Sequence, residues 1–258
     1  RGSGISYSRK VTKETMTIGQ MIEDATAVTN YLRRRFGKEK IYVLGHSWGS
    51  VLGVLTVQKS PELFHGYIGI GQVVCQSKSE CLAYSFMVNE FTAAGDRKML
   101  RRLEKFPIDR GGEVSFQYLA VRSVGMMKLG IGIMHHLDSM SDCIKIVLRY
   151  KGYTLKDKLH FVMGSGLALK CLWDFVMQTD FVKQVPHLEI PVYIFQGRFD
   201  YQVSYSLAKE FADTVKAPVK GFYTFENSAH SPCFEEPKKM CHIIREDVLQ
   251  GKCGLADG

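Results

Sequence analysis

Residues 41–53 constrain the fold of this chain more than any other stretch. They read Ile-Tyr-Val-Leu-Gly-His-Ser-Trp-Gly-Ser-Val-Leu-Gly. Four apolar or aromatic residues at the start are typical of a strand that is buried on both faces of a parallel sheet. Small and apolar residues at helical spacing follow the central Gly-His-Ser-Trp-Gly, so we predict a strand, a sharp turn and a helix. This order is the setting in which G-x-S-x-G forms a nucleophile elbow.

A nucleophile elbow holds its serine at a strained tip with the hydroxyl exposed, which makes Ser47 the candidate nucleophile. Gly45 and Gly49 are predicted to lie so close to neighbouring backbone that a side chain at either position would clash. The backbone N–H of Trp48 opens the predicted helix and is expected to point to the place where an oxyanion would form. The alternative interpretation is a tight strand-to-helix turn with an incidental serine.

Patterns of hydrophobic residues divide the chain into three segments. Residues 1–71 contain a loop, a helix over about 17–36, the elbow and a second apolar strand. Residues 72–185 show helical periodicity, and we interpret them as a helical cap inserted between two strands. Strands and helices return in residues 186–258, so the predicted class is α/β, with a mostly parallel sheet flanked by helices. Cap helices are predicted at residues 79–94, 97–105, 115–128, 141–150, 154–163 and 167–180.

Two further residues complete a candidate catalytic set with Ser47. A serine hydroxyl needs a base within hydrogen-bond reach, and the base needs an acid that fixes its tautomer. Asp200 and His230 each follow a predicted strand, so we expect them at the same edge of the sheet as Ser47. Rival bases are His46, His135, His136, His160 and His187, and rival acids are Asp174, Asp180 and Glu226.

Composition and charge exclude some classes of partner. The net charge is +8, but the basic residues are scattered and no aromatic residues interleave with the short runs at 33–35 and 101–102. Nucleic-acid binding is therefore not expected. We find no apolar stretch long enough to cross a bilayer, so membrane insertion is not expected either. Seven widely spaced cysteines without a CxxC pair favour reduced thiols in a cytoplasmic protein.

With these motifs in place, the sequence resembles the α/β-hydrolase superfamily and, more narrowly, its proline iminopeptidase-related group of serine hydrolases and peptidases. Residues 1–6, Arg-Gly-Ser-Gly-Ile-Ser, are similar to the end of that group's Asp-Gln-Arg-Gly-x-Gly-x-Ser loop. Gly-His-Ser-Trp-Gly-Ser at 45–50 is similar to its elbow. Gly-Arg-Phe-Asp at 197–200 and Ser-Ala-His at 228–230 match its acid and base loops, and the chain order of serine, aspartate and histidine is the same.

The resemblance implies a two-step acyl transfer on a small ester or short peptide substrate, without a metal ion or an organic cofactor. Two departures from the group's pattern bear on the activity. Its His-Gly-Gly-Pro segment is not found, because the one Gly-Gly pair, at 111–112, lies in the predicted cap. Its Gly-x-x-Glu-Phe segment, which holds the amino terminus of a peptide, has its nearest match at 164–167 without an acid. Glu90 and Asp174 are the alternative candidates for that role.

The sequence leaves both the function and the extent of the sheet open. A carboxylesterase without aminopeptidase activity and a non-enzymatic binding protein of the same fold are the alternative functions. The resemblance also implies strands that precede the elbow strand, whereas residues 1–40 contain only a loop and a helix. We therefore expect an N-terminal segment or a complementary chain beyond this sequence, and a strand at Ile41 that is paired on one side only.

Overall fold

The computed structural model describes residues 1–109, 114–136 and 140–257, and the side chains of residues 140–144 lie outside the description. The chain divides into two compact units. One comprises Arg1–Glu39 and Ser139–Gln178, and the other comprises Lys40–Asp138 and Thr179–Gly258. The Gly-Gly pair at 111–112 lies outside the described residues.

The second unit is built on a parallel sheet. Its strands are β1 (Ile41–His46), β2 (Phe64–Ile70), β3 (Val192–Gly197) and β4 (Lys220–Phe225), and they lie in the order β1-β2-β3-β4. Each neighbouring pair is parallel. The carboxyl ends of all these strands therefore meet at one edge, which is where open α/β sheets bind their ligands. The predicted α/β class with a parallel sheet is confirmed.

The edge strand β1 differs from the prediction in its burial. Within β1 only Gly45 is buried, and Leu44 keeps 47% of its surface exposed. Strand β3, in contrast, is buried along its whole length. The expectation that β1 is buried on both faces was wrong because, in the described residues, β1 pairs with β2 alone. The expected one-sided pairing is confirmed, and an earlier segment stays a prediction.

The described residues form the following helices, in chain order: α1 (Ile18–Phe36), α2 (Trp48–Lys59), α3 (Gln76–Ala93), α4 (Arg97–Leu103), α5 (Phe116–Leu129), α6 (Met140–Arg149), α7 (Leu155–Gln178), α8 (Phe181–Gln184), α9 (Tyr205–Thr214), α10 (Pro232–Glu235) and α11 (Pro237–Glu246). Short 3-10 turns lie at Gly4–Ser6, Pro61–Leu63 and Val248–Gln250. The long helices agree with the predicted ones to within a few residues, except in the region of α7.

In the first unit, α7 is one continuous helix, although two helices over 154–163 and 167–180 were predicted. The prediction placed a break at Gly164 and Gly166, because glycine weakens helices. Gly164 instead lies inside the helix at a close approach to the N-terminal segment, since a side-chain Cβ there would lie 1.9 Å from the carbonyl oxygen of Gly2. The glycine therefore makes room for the N-terminal segment of the same unit.

Helix α7 is also long enough and apolar enough to cross a membrane, by length and composition alone. The prediction that no apolar stretch is long enough to cross a bilayer was wrong on this criterion. Charged residues at 156–158 and Lys170 had divided the apolar residues into shorter runs. A core helix that is mostly buried can pass the same test, but only 17% of the most apolar window of α7 is buried.

The two compact units do not follow the predicted division into core (1–71 and 186–258) and cap (72–185). Helix α1 belongs to the same unit as α6 and α7, whereas α3, α4 and α5 belong to the unit that contains the sheet. The compact units are defined by contacts between residues, whereas the predicted division separates a sheet-containing core from an inserted helical cap. The core and cap boundaries therefore stay a prediction.

Candidate active site

Ser47 lies in a strained turn between β1 and α2. Its backbone has φ 56° and ψ −123°, and it is the one non-glycine residue with positive φ among residues 1–109, 114–136 and 140–257. A Cβ at Gly45 would lie 2.2 Å from the carbonyl oxygen of Gly49, so the turn requires a glycine there. The parallel expectation for Gly49 was wrong, because a Cβ at that position would meet nothing within 4 Å. The backbone has the conformation of a nucleophile elbow.

Asp200 lies in the turn that follows β3, and its carboxylate is fully buried. Its Oδ1 accepts hydrogen bonds from the backbone N–H groups of Gln202 at 2.9 Å and Val203 at 3.0 Å. Its Oδ2 accepts one from the Gln196 side-chain amide at 2.7 Å and lies 2.9 Å from Nδ1 of His230. These four contacts fix the carboxylate in one orientation toward the imidazole.

His230 lies in the loop after β4 and is held on several sides. Its backbone N–H donates to the carbonyl of Gly132 at 3.1 Å, and its own carbonyl lies 2.9 Å from Nε2 of His46. Gly71, with φ +53°, passes so close that a Cβ there would lie 2.8 Å from the His230 ring. The Nε2 atom of His230 is buried and has no hydrogen-bond partner among the described residues. This nitrogen is available to accept a proton.

The structure joins Asp200 and His230 directly and places Ser47 at the same edge of the sheet. No hydrogen bond joins the Ser47 hydroxyl to Nε2 of His230 in the described part of the chain. The rings of His230 and of His46, which precedes Ser47, have their centroids 5.0 Å apart. Catalytic hydrogen bonds are often long in free enzymes and tighten on binding, so this geometry is compatible with a base that serves Ser47.

Trp48 is the first residue of α2. The first backbone N–H groups of a helix have no carbonyl partner within the helix, and the helix dipole adds positive potential at that end. The N–H of Trp48 is therefore suited to the predicted role of an oxyanion donor.

The rival bases have other surroundings. The ring of His46 contacts the His230 carbonyl, and burial and then the neighbouring His230 lower the pKa of His46. His135 stacks on Phe199 at 3.8 Å, and the ring of His136 packs edge-on against that of His135. His160 stacks on Tyr7 in the first unit, and His187 forms an isolated bridge with Lys216.

Two of the rival acids, Glu226 and Asp180, have partners elsewhere. Glu226 pairs with Arg198 at 2.8 Å, and that hydrogen-bonded guanidinium lowers the pKa of Glu226. Asp180 pairs with Lys183 one helical turn away, at 3.0 Å. Among the candidate acids, the structure places Asp200 alone in a hydrogen bond with His230.

The two candidate residues for substrate binding lie in different units. Glu90 is exposed on α3, close enough to Tyr201 that its charge, after burial, contributes to a raised pKa of that tyrosine. Tyr201 directly follows Asp200, and its ring stacks on Phe86 of α3 at 4.2 Å. Glu90 therefore lies near the acid turn. Asp174 is exposed on α7, in the first unit.

Sequence reasoning missed the polar residues that support Asp200. Gln196 donates to Asp200 Oδ2 and to the carbonyl of Val203, and its own oxygen accepts from the backbone N–H of Gln72. A glutamine in an otherwise apolar buried strand was a signal that could have found it, because such a group needs partners. Glu80 and Arg122 were missed as well, since each lies on a helix without a motif.

The parallel sheet and the elbow turn define the class of this protein as an α/β hydrolase. A family model described as serine aminopeptidase, S33, matches residues 1–237. YbaC of Bacillus subtilis, described as a probable aminopeptidase, is 32% identical over 244 residues, which cover 95% of this chain and 76% of that protein. The chain therefore belongs to the serine aminopeptidase S33 family, and it is an α/β-fold hydrolase.

Solved structures support the fold. A proline iminopeptidase from Mycobacterium smegmatis aligns with a TM-score of 0.59 at 13% identity, over 95% of this chain and 75% of that one. An esterase from Exiguobacterium antarcticum aligns with a TM-score of 0.58 at 12% identity, over 95% of this chain and 77% of that one. At these identities the likeness shows the fold alone. The predicted α/β-hydrolase fold and the resemblance to the iminopeptidase-related group are confirmed.

Proposed function

We propose that this protein is a serine hydrolase that cleaves small ester or amide bonds through an acyl-enzyme intermediate. The observation that carries the proposal is the buried Asp200–His230 pair, 2.9 Å apart, at the same sheet edge as the strained Ser47 turn. A buried carboxylate that orients an imidazole beside a serine is the arrangement by which serine hydrolases activate a hydroxyl.

The proposed reaction has two steps. In the first, the Ser47 hydroxyl attacks the carbonyl carbon of the substrate while Nε2 of His230 accepts its proton. The N–H of Trp48 stabilises the oxyanion, and the proton moves to the departing alcohol or amine as its bond to carbon breaks. In the second step, water attacks the acyl-serine ester, His230 again accepts and returns a proton, and the acid is released. Asp200 stays ionised and stabilises the charged imidazole throughout.

The tests of this mechanism are covalent labelling and turnover. We expect a fluorophosphonate probe to label the wild-type protein and to leave Ser47→Ala unlabelled, because the probe reacts with an activated serine. Ser123→Ala is the matched control, since Ser123 is exposed on α5 and its hydroxyl donates to the Leu119 carbonyl of the same helix. Labelling of Ser47→Ala at the wild-type rate would reject the assignment, and an unreactive wild type would favour a binding protein.

For the substrate, we propose small esters and unblocked amino-acid arylamides. Helix α3 stacks Phe86 against Tyr201 beside the acid turn and carries Glu90 on its exposed face. A carboxylate near an apolar surface can bind the amino terminus of a short peptide. The description of the Bacillus subtilis relative as a probable aminopeptidase supports this choice.

Comparing free and N-acetylated forms of one arylamide tests the aminopeptidase proposal. We expect the free amine to react up to about fivefold faster, since an ion pair to an exposed carboxylate such as Glu90 contributes up to about 1 kcal/mol. Glu90→Gln should reduce that preference, and Glu104→Gln, another exposed acid of the same unit, should not. Equal rates for both forms in the wild type would reject the aminopeptidase proposal.

A further inference from the structure

A buried ion pair lies in the sheet-containing unit, away from the proposed catalytic residues. Glu80 on α3 has a fully buried side chain and Arg122 on α5 has one that is 8% exposed, with Arg122 Nε 2.8 Å from Glu80 Oε2. Gln76 donates its side-chain amide to the other oxygen of Glu80 at 2.8 Å. Burial raises the pKa of Glu80, and the charge of Arg122 opposes that rise. Burying two charges is costly, and the attraction between them often does no more than offset that cost. Stability alone therefore does not explain why this pair is buried.

The ion pair is connected to the turn that holds Asp200. Arg122 donates through its terminal nitrogen to the carbonyl of Gln202 at 3.1 Å, and the Gln76 amide donates to the same carbonyl at 3.1 Å. The backbone N–H of Gln202, together with that of Val203, holds Oδ1 of Asp200. The carbonyl of Gln202 thus accepts hydrogen bonds from side chains of α3 and α5, and its N–H donates to the Asp200 carboxylate.

Two further contacts join α3 to the same turn. The hydroxyl of Ser79 accepts a hydrogen bond from the backbone N–H of Ser204 at 3.1 Å, and Phe86 stacks on Tyr201. Residues 201, 202 and 204 are therefore each held by a side chain of α3. Side chains of α3 and α5 therefore contact the turn after β3, in addition to Gln196 of β3 itself.

We infer that Glu80 and Arg122 are positioning residues for the proposed hydrolase: Glu80 fixes Arg122, Arg122 fixes the Gln202 carbonyl, and the turn then presents its amides to Asp200. The inference rests on the proposed function, because its consequence is measured as turnover. The pair acts on the reaction through Asp200 and has no contact with the substrate.

The consequence follows from geometry. Asp200 orients His230 only while its carboxylate is held in place, and a misplacement of about 1 Å can reduce a rate about a hundredfold. Without the guanidinium, the Gln202 carbonyl loses one of the two side-chain donors that it has among the described residues, and the turn gains freedom to rotate. The loss should appear in kcat and leave KM little changed, because substrate binding is not involved.

The test uses two variants of the pair and one control. Arg122→Lys keeps the positive charge, but a single ammonium group cannot reproduce the planar fork that contacts Glu80 and Gln202 together. Glu80→Gln/Arg122→Met removes both charges, so no buried charge is left alone. Lys128→Met is the matched control, because it removes from α5 an ion pair with Asp96 that is more exposed. Turnover of a p-nitrophenyl ester and the melting temperature are measured for each.

We expect each pair variant to lower kcat by about ten- to a hundredfold at similar KM. The control should keep the wild-type kcat. The decisive measurement repeats the pair variants in an Asp200→Asn background. If the pair acts through Asp200, its removal there should reduce kcat by less than about threefold, because residues that act as a unit are not additive.

The outcomes separate this inference from the proposed function. Equal losses of kcat in both backgrounds, or wild-type kcat in folded Arg122→Lys, would mean that the pair only links α3 to α5. Either result would overturn the inference and leave the proposed function standing. If the doubly substituted variant does not fold, Arg122→Lys carries the same comparison. An unchanged rate in Ser47→Ala would instead reject the proposed function, whatever the pair variants do.

Discussion

At the scale of single residues, the candidate site depends on buried polar atoms that each have a specific partner. The four contacts to the Asp200 carboxylate come from Gln196, Gln202, Val203 and His230. Hydrogen bonds to charged groups contribute roughly 1.5–3 kcal/mol each, so the carboxylate has one strongly preferred orientation. The proposed base is oriented in turn, and its Nε2 is left to accept a proton.

His46 gives this site a dependence on pH. Burial lowers its pKa below the ordinary value of about 6.5, and the neighbouring His230 lowers it further, which the carbonyl hydrogen bond only partly opposes. A histidine with a lowered pKa stabilises the fold in its neutral form. That contribution is present above about pH 6.5 and is lost as the pH falls toward the pKa of the folded state.

We therefore predict that His46→Gln, which keeps a donor for the His230 carbonyl but does not titrate, reduces the loss of stability on acidification. The measurement is the free energy of unfolding in urea at about pH 7.5 and about pH 5.5. His242→Gln, at an exposed position on α11, is the control and should behave as the wild type does. A variant that loses as much stability as the wild type would show that His46 is not the titrating group.

At the scale of elements, local pattern predicted where the candidate residues lie but not what supports them. Ser47, Asp200 and His230 each follow a strand whose apolar run is visible in the sequence, so their common edge could be predicted. The contacts that Gln76 and Arg122 make with Gln202 could not be, because they join residues 126 and 80 positions apart. The periodicity of hydrophobic residues does not predict such hydrogen bonds, because they depend on how α3 and α5 pack against the turn after β3.

Two glycines in helix α7, Gly164 and Gly166, also show what local pattern does not predict. Propensity predicted a break at Gly164 and Gly166, but their surroundings differ. A Cβ at Gly164 would meet the backbone of Gly2 and Ser3, whereas a Cβ at Gly166 would meet nothing within 4 Å. The sequence records both as glycine, and only the packed structure separates a required glycine from a replaceable one.

We predict opposite effects for alanine at these two positions. Gly164→Ala should destabilise the protein by about 1–3 kcal/mol, because the methyl group displaces the N-terminal segment. Gly166→Ala should stabilise it by roughly 0.5–1 kcal/mol, since alanine favours the helix and has open space. Thermal unfolding of the two variants beside the wild type measures both. A stabilising Gly164→Ala would mean that the approach of Gly2 is not tight.

At the scale of the whole molecule, the open edge of the sheet is the feature with the largest consequence. Strand β1 pairs with β2 alone in the described residues, and Leu44 presents 47% of its surface at that edge. The continuous apolar run at 41–44 did not predict the exposure of Leu44, because such a run is typical of a strand buried on both faces; the one-sided pairing was expected only from the lack of a predicted strand in residues 1–40. Unpaired backbone groups next to an apolar side chain form a template for pairing with another strand.

We predict that this chain associates through β1 and that a charge at Leu44 opposes the association. Leu44→Lys should raise the concentration at which light scattering first appears by several-fold, because a charged side chain on an edge strand blocks strand addition. The control is Leu82→Lys, a similarly exposed leucine at 41% that lies on helix α3 of the same unit. If both substitutions raise that concentration equally, general solubility explains the effect, since added charge disfavours association wherever it lies on the surface. If only Leu44→Lys does so, the association runs through the backbone edge of β1, where strand pairing is the specific interaction available.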